Sequence, residues 1–167
     1  MNRLNFLQKI CSFFGVTVLS TSILESCTSN EDELTLTEEE IIYNSLKEKT
    51  SVNGKYLEDR LLYIDVTHEN FSTLNTVDEF VNDFDNYILI LRKSEDLFQS
   101  FSNCCPHLGT FNQWSYSSGK FRCSNHGNSY GTSSSNEARC GSRSTSGNLK
   151  QYTTTRNQDL LTIDFDS

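Results

Sequence analysis

Six cysteines and three histidines stand in this chain of 167 residues, and they are unevenly placed. Two of each fall in two short stretches. The first reads Cys105-Pro106-His107-Leu108-Gly109, and its proline is the only one in the chain. The second reads Cys123-Ser124-Asn125-His126-Gly127-Asn128-Ser129-Tyr130. Thiolates and imidazoles paired on two loops are the donors of a transition-metal site. A zinc finger groups Cys with Cys and His with His. Here each stretch supplies one of each, as C-x-H and then C-x-x-H. Gly109 and Gly127 closely follow the histidines, where a backbone must turn sharply under an inorganic core.

That order suits a two-iron cluster in which one iron takes both thiolates and the other both imidazoles. The two stretches together resemble the Rieske [2Fe–2S] signature, in which two histidines replace two cysteines on one iron. The resemblance covers roughly residues 50–167, and its ligand loops are its specific part. It implies an all-β fold: a small Rieske-like antiparallel β-sandwich with a two-loop cluster-binding subdomain, preceded by a short helix. It implies that Cys105, His107, Cys123 and His126 hold a [2Fe–2S] cluster. Tyr130 matches the family tyrosine that donates a hydrogen bond to a ligand thiolate.

The chain also departs from the family. Quinol-oxidising members carry a second cysteine in each ligand loop, and the two form a disulfide. Here Thr110 and Asn125 stand at those positions. Asn128 replaces a serine that donates to a cluster sulfide. The Gly-Pro loop that covers the cluster in many members is missing, and Cys140-Gly141-Ser142 stands near that place. The pattern is closer to the ferredoxin-like branch.

Of the other cysteines, Cys11 and Cys27 lie near the N-terminus. Cys104 and Cys140 remain; in an oxidising compartment they can pair, and otherwise they are two small buried or idle thiols. The formal net charge of −8 argues against a nucleic-acid partner. The length allows one domain plus an export segment.

Residues 1–27 read as a secretory signal: Arg3 and Lys9, an apolar run from Ile10 to Leu24, then Leu24-Glu25-Ser26-Cys27. That ending resembles a bacterial lipobox with Cys27 as the lipidated residue. The expectation is an exported protein, lipid-anchored to a bacterial membrane, periplasmic or surface-facing. Residues 28–49 are an acidic tether and a short helix, with Thr37 and Glu40 as a capping box and Ile41, Ile42 and Leu46 as the apolar edge. Residues 50–167 are the Rieske-like domain. Within it, Leu61–Val66 and Tyr87–Leu91 read as strands, and Leu97–Phe101 as the hairpin partner that delivers the chain into Cys105. Asp78–Asn86 reads as a short helix or loop. Residues 131–148 form a long Ser/Gly/Asn-rich loop, and Leu149–Thr153 with Leu160–Phe165 close the sheet.

Two functions compete. The first is an electron-transfer protein with a redox partner, serving an oxidoreductase system rather than acting as a catalyst alone. No catalytic residue is expected. A Rieske oxygenase needs a mononuclear iron held by two histidines and a carboxylate, and His68 is the only histidine left. The alternative is a lipid-anchored binding or structural module of the same fold that holds zinc or no metal. The missing twin-arginine signal favours it, because a chain exported unfolded must find its cluster outside.

Overall fold

A computed structural model describes residues 36–111 and 113–167. The export signal, Cys27 and the acidic tether lie outside the described residues. Leu36–Ser167 form one compact unit.

Thr37 caps the first helix, α1 (Glu38–Thr50), in both directions of a capping box. Its hydroxyl accepts from the Glu40 amide at 3.2 Å, and its own amide donates to the Glu40 carboxylate at 2.8 Å. Of the expected apolar edge only Leu46 is half-buried; Ile41 and Ile42 are 54% and 60% exposed. The helix is held by its last turns instead. Lys47 Nζ stands 2.6 Å from Asp65, Lys49 Nζ 3.4 Å from Glu58, and the Gly54 amide donates to the buried Thr50's carbonyl.

Seven strands follow in one antiparallel sheet: β1 (Lys55–Glu58), β2 (Leu61–Asp65), β3 (Phe80–Asp83), β4 (Ile88–Arg92), β5 (Phe98–Ser102), β9 (Gln151–Asn157) and β10 (Leu160–Asp164). Their spatial order is β1-β2-β10-β9-β5-β4-β3. A second sheet of three strands, β6 (Trp114–Ser117), β7 (Lys120–Cys123) and β8 (Ser129–Gly131), is inserted between β5 and β9 in the chain. Mostly β, with one short helix at its start, this is the expected class.

Strand β4 explains how the two sheets are joined. Ile88 and Ile90 point into one core with Leu62, Ile64, Phe71, Leu161 and Ile163. Leu89 and Leu91 point into the other, with Phe101, Trp114, Phe121, Tyr130, Cys105 and Cys123. All four β4 residues are fully buried. A strand covered on both faces needs no polar alternation, which is why its sequence is an unbroken apolar run.

The 78–86 stretch corrects the expectation of a helix or loop. Phe80–Asp83 is a strand pairing with β4, Phe80 opposite Leu91 and Val81 opposite Ile90. The spacing of Phe80, Val81 and Phe84 suggests a single helical face. In the sheet Phe80 packs against the second core, Val81 against the first, and Phe84 is exposed. His68 caps a 3-10 turn at Glu69–Asn75, its Nδ1 accepting from the Asn70 amide at 3.2 Å.

Candidate metal centre

Each ligand loop begins where a strand ends. β5 runs out at Ser102, and Asn103 fixes the exit: its amide donates to the Tyr87 carbonyl, and its fully buried side chain accepts from Trp114 Nε1 at 2.7 Å. β7 ends on Cys123 itself.

Both loops then close in the same way. The Cys105 amide donates to the Thr110 carbonyl at 2.8 Å, and the Gly109 amide returns to the Cys105 carbonyl at 2.8 Å. The Cys123 amide donates to the Asn128 carbonyl at 2.9 Å, and the Gly127 amide returns to the Cys123 carbonyl at 2.9 Å. Gly109 and Gly127 sit at φ 71° and 74°, where a side chain is strained, so glycine is required to close each loop. The result is two hooks, each with a cysteine at its base and a histidine at its tip.

The bases and the tips form separate pairs. Cys105 and Cys123 are each 1% exposed, and both thiols belong to the second core. Burial pushes the Cys123 thiol up. The Asn125 amide, aimed at its sulfur, opposes this, and the neighbouring Cys105 thiol adds to it. Two adjacent thiols away from water cannot both ionise without a cation between them. The His107 and His126 rings stand perpendicular with centroids 4.9 Å apart. His107 Nδ1 is buried and has no hydrogen-bond partner. A buried ring nitrogen left without a partner is costly, and a metal ion would satisfy it.

Nowhere among the described residues do three or more Cys, His, Asp or Glu donors gather as one mononuclear ion needs. Structural zinc draws four donors to one point. A [2Fe–2S] group of the Rieske type needs a thiolate pair at one iron and an imidazole pair at the other. The four residues Cys105, His107, Cys123 and His126 fit that group.

A strap, residues 139–146, covers the first hook. A disulfide joins Cys140 to Cys104, with Cα atoms 5.5 Å apart. The Gly141 amide donates to the Cys105 carbonyl at 3.3 Å, the Arg143 amide to the His107 carbonyl at 3.0 Å, and Ser142 Oγ to the Pro106 carbonyl at 3.5 Å. Cys140-Gly141-Ser142 thus lies against the backbone of the first hook at Cys105 and Pro106. The pairing of Cys104 with Cys140 ties the first hook to the strap, whereas the bridge in quinol-oxidising relatives ties the two hooks together.

Tyr130 is shared between strap and hook. Its hydroxyl donates to the Ser144 carbonyl at 2.8 Å and also lies beside the Cys105 sulfur. Burial first, then the Cys105 thiol, push its pKa up to about 12, so it stays a proton donor. Tyr130 is legible in the sequence, whereas the strap's carbonyl, a second claimant for its proton, is not. Nor are Asn103 and Trp114, which orient the first hook; the buried pair leaves no signal in motif spacing.

A family model described as the Rieske [2Fe-2S] domain matches residues 46–153. Among curated proteins none matches this chain. With most of its length matched, and with two Cys–His hooks closed by the same backbone bonds, the chain belongs to the Rieske [2Fe–2S] domain family.

Proposed function

We propose that this protein carries a Rieske-type [2Fe–2S] cluster on Cys105, His107, Cys123 and His126 and passes single electrons to a partner protein. The observation that carries the reading is the unpartnered His107 Nδ1, buried beside the His126 ring, together with two desolvated thiols at the bases of the same loops. When bound, the cluster supplies one-electron redox chemistry. The chain's own residues set its surroundings. The second core excludes water from the thiolates. The Asn125 and His126 amides point at the Cys123 sulfur, and Tyr130 stands at the Cys105 sulfur. His126 is exposed and offers the shortest route outward.

Hydrogen bonds to the sulfurs stabilise the extra negative charge of the reduced state and raise the potential. With Asn128 in place of serine and no bridge between the hooks, the potential falls in the lower part of the family range of about −150 to +300 mV. Tyr130→Phe lowers it further. Cys27 carries the lipid that holds the domain at a membrane outside the cytoplasm, since a diacylglyceryl group supplies the two chains that stable anchoring requires.

Visible absorption and electron paramagnetic resonance of protein purified from its native membrane test the reading. A coloured protein that loses its spectrum in Cys123→Ser supports it. A colourless protein with stoichiometric zinc overturns it in favour of a zinc-holding module. Cys27→Ala should move the protein to the soluble fraction; a variant that stays on the membrane with its signal removed contradicts the lipid anchor.

A further inference from the structure

The charge of this chain is divided by region. From Phe98 to Lys150 the sequence holds five cations, Lys120, Arg122, Arg139, Arg143 and Lys150, and a single carboxylate, Glu137. Yet the whole chain carries a formal charge of −8. None of those five cations enters an ion pair among the described residues, whereas Lys47, Lys49, Lys55, Arg60, Lys93 and Arg156 of the large sheet and its helix all do.

Two of the five flank the exposed end of the metal centre. The Arg122 side chain lies along the second hook, its Nε donating to the Gly127 carbonyl at 3.2 Å, one residue from His126. Arg143 sits on the strap, its amide bonded to the His107 carbonyl. Both side chains are exposed. Leu108, 50% exposed, lies beside His107. The one carboxylate, Glu137, is directed to the start of β9, where it accepts the Gln151 amide at 2.8 Å, and it forms no ion pair with Arg122 or Arg143. Nor does an oxidised cluster: the charges of two ferric ions, two sulfides and two thiolates cancel, and the imidazoles are neutral.

We infer that the tip around His107, Leu108 and His126 is a docking face for an acidic redox protein, whose carboxylates surround its own electron-exchange site and meet Arg122 and Arg143. This rests on the electron-transfer reading and specifies the partner. An anionic membrane surface would also suit the charge. However, a tip pressed into headgroups would shield the exposed imidazole from any electron donor, and the apolar Leu108 within a cationic rim is the pattern of a protein contact. A local potential of this kind steers encounter, and salt weakens it.

The test has two arms. In the first, reduced holoprotein is mixed by stopped flow with anionic ferricyanide or with cationic tris(phenanthroline)cobalt(III) at rising ionic strength. The docking face predicts that added salt slows the anionic oxidant and speeds the cationic one, the reverse of what the net charge dictates. Arg122→Glu with Arg143→Glu should cut the low-salt rate with ferricyanide by about tenfold and invert both salt trends. Arg122→Lys with Arg143→Lys should keep the rate, which separates charge from loop damage. Arg156→Glu, on the far sheet, should change little.

The second arm needs no cluster. A labelled polyglutamate peptide should bind the purified chain at low salt and lose that binding in the double Glu variant, with phosphatidylglycerol vesicles in parallel. A colourless protein would sink the cluster reading and leave this arm to decide the face. If salt speeds ferricyanide, if the double Glu variant changes neither rate nor peptide binding, or if only vesicle binding responds, the inference is wrong.

Discussion

Outside residues 98–150, the described part of the chain holds seventeen carboxylates against seven cations, and the cations are spent on ion pairs or backbone carbonyls. Inside that stretch five cations face one carboxylate. The two regions also cohere differently. The large sheet has three five-residue ladders, β10 with β2, β10 with β9 and β4 with β5, but its two halves meet through only two residue pairs, Ser100 opposite Tyr152 and Phe101 opposite Gln151. The small sheet has only four-residue and three-residue ladders, and its interior mixes four aromatic rings with two thiols. The small sheet is further tied by a disulfide strap and, on the proposed reading, by a metal centre. Metal affinity there becomes folding energy. The large sheet buries Leu89, Leu91 and Phe101 against the small one, so the two share a core, and the small one is further held by its strap.

Core substitutions should separate the regions most strongly. Phe121 is fully buried and packs against the rings of Phe80, Phe101, Trp114 and Tyr116. Phe121→Ala should cost about 3–5 kcal/mol and abolish cluster binding, read by chemical denaturation and visible absorption. Ile64→Val, in the first core, should cost about 0.5–1.5 kcal/mol and leave the spectrum intact. Equal spectral losses in both variants would mean that the two cores are one.

The strap comes next. Cys140→Ala opens a link spanning 36 residues and should lower stability by roughly 2–4 kcal/mol. Iron should then be lost to a chelator faster than from the parent, because the covalent hold on the strap over Cys105 and His107 is gone. Unchanged chelation kinetics would show that the strap's hydrogen bonds suffice.

Much of this contrast is legible in the sequence, and some is not. The four candidate ligands follow from residue type and spacing, because ligand chemistry is local. Thr37 and Glu40 announce the helix start for the same reason. β3 was open to misreading because Phe80, Val81 and Phe84 fit a helical period, and only pairing with the distant β4 decides between the two. β1, with Lys55, Tyr56, Leu57 and Glu58, carries no apolar alternation; as an edge strand it takes its conformation from β2. Ile41 and Ile42 look like a core edge, yet the helix is held through Lys47 and Lys49. The basic tip is invisible in a net charge that averages two regions of opposite sign.

Acid should act on the large sheet first. Burial works to raise the Asp65 carboxyl, but Lys47 and two hydrogen bonds from Thr67 outweigh it and hold the group below its ordinary value. A carboxyl depressed in the folded state contributes stability that is present above its unfolded value of about 3.9 and lost as pH falls through its lower folded value. Melting temperature should therefore drop in that acid window. Asp65→Asn should be less stable at neutral pH by about 1–3 kcal/mol, since Lys47 loses its partner, and should show a flatter acid limb. An identical acid limb in the variant would place the acid sensitivity elsewhere.

On the proposed reading the two hooks present a thiolate pair and an imidazole pair to two different metal ions. Mössbauer spectroscopy of protein enriched in iron-57 distinguishes the two environments. Two inequivalent iron sites in equal amounts are expected, one in an all-sulfur environment and one with two nitrogens in its shell. A single iron environment, or protein that takes up one zinc in place of two irons, would contradict it.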